Sequence, residues 1–184
     1  MAIKPILTIK DHEDSLRETS AEIVDVNPEI QTLAMNLLDT LRAGDSLGRV
    51  GVGLAAPQVG QNVRLAVVEY GGEIDANGKI QNQLPTTILI NPKITTTSKE
   101  KECLDEGCFS VPEVYGPVER PKKIKVACIN LDGKKVVISA SGYYARVIQH
   151  EMDHLDGILY TDRVEKGKLY RYVKNEKGEW AVEY

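Results

Sequence analysis

The clearest hydrophobic pattern in the chain lies in residues 27–44. Apolar residues there recur at spacings of three and four, in the set Ile30, Leu33, Ala34, Leu37, Leu38 and Leu41. Asn27 suits the position that caps a helix, Pro28 suits its first turn, and Gly44 is typical of its end. The pattern predicts an N-terminal amphipathic helix that packs on a core and carries no chemistry.

Runs of apolar and β-branched residues in the middle of the chain predict strands. They cover residues 63–70, 87–94, 123–131 and 135–140. Asp132-Gly133 is a strong signal for a two-residue hairpin, and Pro92 indicates an edge or a bulge. Asn77-Gly78 is a turn signal within an expected surface excursion. With helices towards both ends, this order predicts an α+β fold with largely antiparallel sheets.

Length and composition fit a single domain spanning residues 1–184. The chain has 42% hydrophobic and 27% charged residues, which is typical of a globular protein. Its 27 acidic and 23 basic residues give a net charge of −4, so it has no electrostatic footprint for DNA. The N-terminus lacks the apolar run of a signal peptide, and no window is long and apolar enough to cross a bilayer. We therefore expect a cytoplasmic protein with no membrane partner.

Residues 165–184 are expected to form a C-terminal tail. Cations alternate with aromatic residues there, in the set Lys166, Lys168, Tyr170, Arg171, Tyr172, Lys174, Lys177 and Trp180. Such a segment could touch ribosomal RNA, although cations diluted by glutamates are more typical of a solvated terminus.

The strongest chemical signal is the stretch from Gln149 to Gly157. In a helix, His150 and His154 lie one turn apart on one face, with Glu151 beside them. A solvated helix face is the simpler explanation. The apolar neighbours Val147, Ile148, Met152 and Leu155 instead favour a buried helix, in which His and Glu must be paired or bound. The motif therefore predicts a metal site of the His-Glu-x-x-His kind on a central C-terminal helix.

Two imidazoles leave such an ion short of a protein ligand. Residues alone leave three candidates open: His12 in an acidic stretch, a downstream glutamate such as Glu176, and Cys108 in the block Glu106–Ser110. A thiolate beside two imidazoles gives a donor set compatible with Zn or Fe(II).

A second informative stretch is Gly51–Gly60. Its glycines and alanines allow close backbone approach, and extended backbone there can offer N–H and C=O groups to a peptide. Gln58 ends the run with a neutral amide. The simpler interpretation is a glycine-rich turn that leads into a strand. The segment lacks the P-loop lysine and the spacing of a dinucleotide fingerprint, so a phosphate site is not expected.

These three blocks occur in one order, and together the sequence resembles the peptide deformylases over most of residues 15–164. The blocks are Gly51-Val52-Gly53-Leu54-Ala55-Ala56-Pro57-Gln58, Glu106-Gly107-Cys108-Phe109-Ser110 and Gln149-His150-Glu151-Met152-Asp153-His154. The resemblance implies a hydrolase that removes the formyl group from the initiator methionine of newly made polypeptides and releases formate. It also implies nascent formyl-Met polypeptides as partners and a place near the ribosomal exit tunnel.

The resemblance further implies roles for individual residues. One metal ion per chain, natively Fe2+ with Zn2+, Ni2+ or Co2+ as substitutes, would be held by Cys108, His150 and His154. Glu151 would be the general base, and Gln58 with the backbone N–H of Phe109 would stabilise charge on the formyl oxygen. Substrate would lie along Val52, Gly53 and Leu54 on one side and Gly107 on the other. Its methionine would enter a pocket lined in part by Leu104 and Val147.

One supporting pair is expected, and two residues depart from the family's pattern. Glu106 and Arg120 are expected to pair behind the Cys108 loop. Arg146 replaces an apolar residue found near the substrate pocket of many members, and Tyr115 replaces an arginine thought to contact substrate. Both bear on side-chain preference.

Two other functions remain as alternatives. A zinc endopeptidase shares the His-Glu-x-x-His helix, but Tyr160 stands where the metzincin pattern has its third His. A catalytically silent relative would bind peptides or ribosomes without turning substrate over, and the intact residue set offers it no support.

Overall fold

The computed structural model describes residues 2–44, 49–74, 80–81, 83–174 and 180–184. The predicted turn Asn77-Gly78 and the candidate ligand Glu176 lie outside these residues. The helices are α1 (Ile9–Leu16), α2 (Pro28–Ala43) and α3 (Gly142–Leu155), with short 3-10 helices at Ala56–Val59 and Tyr160–Arg163. The strands are β1 (Gly53–Ala55), β2 (Leu65–Tyr70), β3 (Glu73–Ile74), β4 (Ile80–Gln81), β5 (Leu84–Thr97), β6 (Lys101–Cys108), β7 (Val111–Pro121), β8 (Lys123–Ile129), β9 (Lys135–Ser141), β10 (Tyr170–Lys174) and β11 (Trp180–Glu183).

The predicted amphipathic helix is confirmed as α2. The Asn27 side chain accepts a hydrogen bond from the Ile30 N–H at 3.0 Å, which satisfies one donor of the first turn. Gly44 follows the helix with a φ of 74°, a conformation that glycine adopts without strain. Leu37 and Leu41 are buried against β1 and β2. The helix therefore supports the strands that lead into the Gly51–Gly60 stretch.

Five strands form the first sheet in the order β1-β2-β5-β8-β9, and each neighbouring pair is antiparallel. The register of β5 against β8 shifts between Ile90 and Lys93, so the bulge predicted at Pro92 is confirmed. β1 lies at the open end of this order, and its outer edge is therefore available to another extended chain.

The predicted hairpin connects β8 and β9, but five residues, 130–134, separate the two strands. The Asn130 N–H donates to the Lys134 carbonyl at 3.0 Å, and the Asn130 side chain accepts from the Lys134 N–H at 2.9 Å. Asn130 and Lys134 are therefore the closing pair, and Leu131 joins Asp132 and Gly133 between them.

Four strands form the second sheet in the order β11-β10-β7-β6. The segment 165–184 was expected to be a tail, but its described parts include β10 and β11, the two strands at one end of this sheet. β10 pairs with β7 through Tyr170 opposite Tyr115, and β11 pairs with β10. Pairing with β7 places β10 in the same sheet as β6, which ends at Cys108.

Helix α3 lies between the two sheets. It contacts β1, β2, β8 and β9 of the first sheet and β7 of the second. Ten of its 14 residues are buried, among them Val147, Ile148 and Leu155. The predicted α+β class, with antiparallel sheets packed around a C-terminal helix, is confirmed. Across the described part of the chain, no helix has both the length and the apolar composition needed to span a membrane.

Candidate metal centre and active site

Two elements bring three candidate ligand side chains together in the interior of the molecule. Helix α3 places His150 and His154 one turn apart, with ring centroids separated by 5.0 Å. Strand β6 ends at Cys108, whose Sγ lies 3.3 Å from His154 Nε2. One ligand atom from each of the three residues lies within 4.8 Å of the others. His12 is exposed on α1 and is not part of this group.

The geometry and chemistry of this group fit a metal ion. Tetrahedral coordination with a metal–sulfur distance of about 2.3 Å and a metal–nitrogen distance of about 2.0–2.1 Å separates sulfur and nitrogen by roughly 3.5 Å. The separation of 3.3 Å between Cys108 Sγ and His154 Nε2 is close to that value. One thiolate with two imidazoles suits Zn2+ and Fe2+. The structure therefore contains a candidate site for one ion.

The charge state of the ligands also suits a cation. Burial opposes ionisation of the Cys108 thiol, but His154 and His150 outweigh it and lower the pKa of the thiol well below its usual value. Burial likewise opposes charge on His150, while Cys108 and Glu106 raise its pKa well above the ordinary value. The thiol thus favours the thiolate that a metal requires, and a bound cation takes the place of the imidazole proton.

Glu106 holds His150 from behind. Its Oε2 accepts the His150 Nδ1–H at 2.9 Å, which leaves Nε2 of that ring for the metal side. The same carboxylate accepts two bonds from Arg120, at 2.7 and 2.9 Å, and one from Arg146 at 2.6 Å. Burial raises the pKa of Glu106, but Arg120 and His150 outweigh it and hold that pKa far below its usual range.

The charge network continues away from the metal site. Arg120 also donates to Asp153 at 2.8 Å, and Asp153 accepts from Arg163 at 2.6 Å. The predicted pairing of Glu106 with Arg120 is observed, but the network is larger than the sequence indicated. Its opposite charges alternate between α3, β6, β7 and the 3-10 helix at Tyr160–Arg163.

Arg146 belongs to this network. Only 4% of its surface is exposed, and its guanidinium donates to the carbonyls of Glu102 and Val118 at 2.6 and 2.8 Å. The same side chain lines the central cavity. Arg146 therefore combines a buried structural position with a place in the cavity wall.

Tyr160 has a structural position rather than that of a third His ligand. Its ring stacks on His150 with centroids 6.0 Å apart, and its hydroxyl donates to the Val114 carbonyl at 2.7 Å. The motif spacing shows only that Tyr160 stands at the position of the third His ligand of another pattern. Its stacking on His150 depends on the path of the chain after α3, which a local motif does not predict.

Glu151 faces the same centre and has an unused acceptor. It is 3% exposed, and its Oε2 has no hydrogen-bond partner among the described groups. Burial is the main cause that raises the pKa of Glu151 to about 7. Gly53 of β1 lies directly against it: a Cβ at Gly53 would be 2.7 Å from Glu151 Cδ. Glycine at this position leaves room for the carboxylate.

Gln58 is oriented by the backbone beside it. Its Oε1 accepts the Ala55 N–H at 2.8 Å, so its Nε2 is directed towards the other side. That nitrogen donates to Cys108 Sγ at 3.4 Å and to Ser110 Oγ at 3.2 Å. A neutral donor is thereby placed next to the ligand sulfur.

An open cavity of about 380 Å³ connects these groups to solvent. Its wall includes parts of β1, β6, β7, α3 and the 3-10 helix at Ala56–Val59. Among the lining residues are Val52, Gly53, Gln58, Gly107, Phe109, Tyr115, Val147 and Glu151. Two residues expected to contact substrate are not among those that line the described cavity. The Leu54 side chain is fully buried in the core behind β1, and Leu104 is 42% exposed outside the described cavity wall.

The outer edge of β1 faces the cavity. The Val52 carbonyl accepts the Glu69 N–H at 3.1 Å, so Val52 and Glu69 of β2 are a hydrogen-bonded pair. Pairing alternates along antiparallel strands, and the N–H and C=O of Gly53 therefore point away from β2. Gly53 thus presents an open donor and acceptor beside Glu151.

The family described as polypeptide deformylase matches residues 3–169. Peptide deformylase 2 of Gloeobacter violaceus is 42% identical over 163 residues, which cover 88% of this chain and 81% of that protein. The peptide deformylase of Thermomicrobium roseum is 40% identical over 181 residues, which cover 98% and 97%.

A solved structure gives the same result. The Met-Ala-Ser-bound class I type b peptide deformylase from Acinetobacter baumannii superimposes with a TM-score of 0.76 at 32% identity. The match covers 89% of this chain and 99% of that one.

Proposed function

This chain belongs to the polypeptide deformylase family, and we propose from that premise how its own residues perform the family's reaction. The protein is a metal-dependent enzyme that removes the formyl group from the N-terminal methionine of nascent polypeptides and releases formate. The observation that carries our assignment of residues is the meeting of Cys108, His150 and His154 beside the unpartnered oxygen of Glu151.

We assign Cys108, His150 and His154 as the ligands of one cation. Fe2+ is the ion we propose for the enzyme, with Zn2+, Ni2+ or Co2+ as functional substitutes, because all four accept mixed sulfur and imidazole donors. When bound, the cation supplies Lewis acidity towards water and the formyl oxygen. Glu106 contributes by fixing the His150 ring through the bond to Nδ1.

Glu151 is our proposed general base. Its Oε2 takes a proton from the attacking water as the water oxygen bonds to the formyl carbon. The carbon–nitrogen bond then breaks, Glu151 returns the proton to the departing amine, and formate leaves. A pKa raised to about 7 supports both steps, because a group titrating near neutral pH can accept and donate.

Gln58 and Phe109 are assigned to the negative charge that develops on the formyl oxygen. The Ala55 N–H holds the Gln58 amide so that its Nε2 is a preoriented donor. Phe109 follows Cys108 directly, and its ring lines the cavity. We propose its backbone N–H as the second donor.

Substrate recognition through the main chain follows from the β1 edge. We propose that the peptide pairs with Val52, Gly53 and the backbone of Leu54 on one side and with Gly107 on the other. The methionine side chain would enter the cavity along Val147. We keep Leu104 as a proposed lining residue of that pocket, because its carbonyl accepts a hydrogen bond from Arg146, which lines the cavity.

We place the enzyme in the cytoplasm, near the ribosomal exit tunnel, with residues 1–184 acting as one catalytic domain. The chemical argument is that the formyl group becomes accessible where a new N-terminus leaves the ribosome. Cosedimentation with ribosomes would test this location.

The assignment of residues is tested by two substitutions. Glu151→Ala should lower formate release from a formyl-Met peptide by roughly 10²- to 10⁴-fold with the metal retained. Cys108→Ala should lose the metal, whereas Cys103→Ala, at an exposed position on the same strand, should retain it. Unchanged activity of the first variant, or full metal content of the second, would contradict the assigned roles. Cleavage of an unblocked protein, without formate release, would identify an endopeptidase instead.

A further inference from the structure

Tyrosines form a row across one face of the second sheet. Tyr115 on β7 lies opposite Tyr170 on β10. In the antiparallel pair of β10 and β11, Arg171 lies opposite Glu183, so the next residue, Tyr184, lies beside Tyr170. Cross-strand neighbours lie on the same face of a sheet, and so does Tyr172, two residues after Tyr170. The ring centroids lie 5.9 Å apart for Tyr115 and Tyr170, 5.6 Å for Tyr115 and Tyr172, and 6.2 Å for Tyr170 and Tyr184. Four rings therefore form one continuous cluster.

This row begins in the wall of the active-site cavity. A Cβ at Gly107 would lie 2.8 Å from the Tyr115 ring, so the ring rests on the Gly107 backbone. Both residues line the cavity. The aromatic row is thus continuous with the surface where the substrate backbone is proposed to bind.

The outer end of the row is exposed. Tyr172 is 50% exposed and Tyr184 is 85% exposed. The opposite face of the sheet supplies the core, where Val118 packs with Tyr160. The tyrosine face is therefore not needed to cover the hydrophobic core. Contiguous exposed aromatic surface at the mouth of a cavity is typical of a binding surface.

We propose that Tyr115, Tyr170, Tyr172 and Tyr184 bind the substrate polypeptide beyond its first two residues. This inference rests on the proposed function, because it assumes that the substrate peptide bound at Gly107 continues over the tyrosine row. Strands lie about 4.8 Å apart, so the three spacings from β6 to β11 span roughly 14 Å. An extended peptide rises about 3.4 Å per residue, and about four residues cover that distance. The face would accordingly contact substrate residues 3–6.

Continuity with the cavity favours a polypeptide over a nucleic acid as the occupant. Arg171 of β10 lies near the row, but it pairs with Glu183 at 3.6 Å, and Asp105, two residues before Gly107, lines the cavity. Tyrosine rings and hydroxyls suit apolar side chains and peptide groups.

The test compares formyl-Met peptides of two and seven residues, with apolar residues at positions 3–6 of the longer one. The measured quantity is the ratio of kcat/KM for the long peptide to that for the short peptide. In the double variant Tyr172→Ala, Tyr184→Ala this ratio should fall by about 4- to 100-fold, since each ring contact is worth about 2- to 10-fold. The double variant Tyr172→Phe, Tyr184→Phe keeps the rings and should keep the ratio. Val137→Ala, an exposed apolar position on the first sheet, serves as the matched control.

Each outcome decides the inference. An unchanged ratio in the alanine variant overturns it, as does an equal fall in the phenylalanine variant or in the control. Failure of the unsubstituted enzyme to release formate from the two-residue peptide would instead refute the proposed function, so the two failures are distinguishable.

Discussion

Replacement of Glu106 by glutamine is the most informative perturbation of the metal centre. The carboxylate is 7% exposed and accepts hydrogen bonds from Arg120, Arg146 and His150. Glutamine keeps the shape but removes the negative charge, and it turns one acceptor oxygen into a donor nitrogen. That nitrogen must then face either a guanidinium or the His150 Nδ1–H, which are donors themselves.

Two magnitudes follow from this geometry. Removing one partner of a buried ion pair costs about 3–5 kcal/mol of unfolding free energy. Loss of the carboxylate that orients a ligand histidine lowers metal affinity by about 10- to 100-fold. The folded-state pKa of Glu106 is lowered, so its contribution is fully present above the unfolded value of about 4.3 and is lost as pH falls towards the folded pKa. The stability difference should therefore be greatest near neutral pH and shrink below about pH 4.

Guanidinium unfolding of the metal-free protein and competition with a chelator measure the two effects separately. Glu119→Gln provides the control on β7. Glu119 pairs with Lys101 at 2.8 Å, but the two side chains are 61% and 54% exposed, and such pairs contribute at most about 1 kcal/mol. Equal losses of stability and metal affinity in both variants would refute the argument, because burial would then make no difference.

Three further predictions concern the cavity. Gly53→Ala should lower kcat at least tenfold while the metal stays bound, because the added methyl group displaces the Glu151 carboxylate. In the control Gly71→Ala the added methyl group meets no atom within 4 Å, so kcat should be unchanged. In the metal-free protein, carbon-13 NMR of labelled glutamate should show Glu151 titrating near pH 7, with the carboxylate present above that pH. Added cation should lower the midpoint of this titration, and a midpoint near 4.3 without metal would contradict the role of burial. Arg146→Met should destabilise the protein by about 3 kcal/mol in chemical unfolding, since it removes one partner of the buried Glu106 pair; a loss below 1 kcal/mol would show that the remaining contacts compensate.

The sequence predicted the helices and the ligand motif because their signals are local. Asn27, Pro28 and Gly44 specify helix ends through neighbouring backbone groups, and two histidines four residues apart share a helix face in any fold. Cys108 required the resemblance, because 42 residues separate it from His150 and only folding brings the sulfur to the imidazoles.

Other features depend on contacts that no local pattern contains. Arg146 follows Ala145 in an ordinary helical stretch, and nothing nearby indicates that Glu106 and two β-strand carbonyls lie opposite it. The sequence did not predict the pairing of β10 with β11, because the charged and aromatic residues there show no regular alternation of apolar and polar positions. Its order comes from pairing with β7, which is distant in sequence.

The position of α3 between the sheets couples ligand binding to the integrity of the whole enzyme. His150 and His154 are on the same helix that supplies the buried Ile148 and Leu155, so melting the interior also dissolves the cation site. Free cation at about 1,000 times its dissociation constant would add about 4.1 kcal/mol to the unfolding free energy. Chelating agents should consequently act on this protein as mild denaturants, and its melting temperature should report cation occupancy without any substrate.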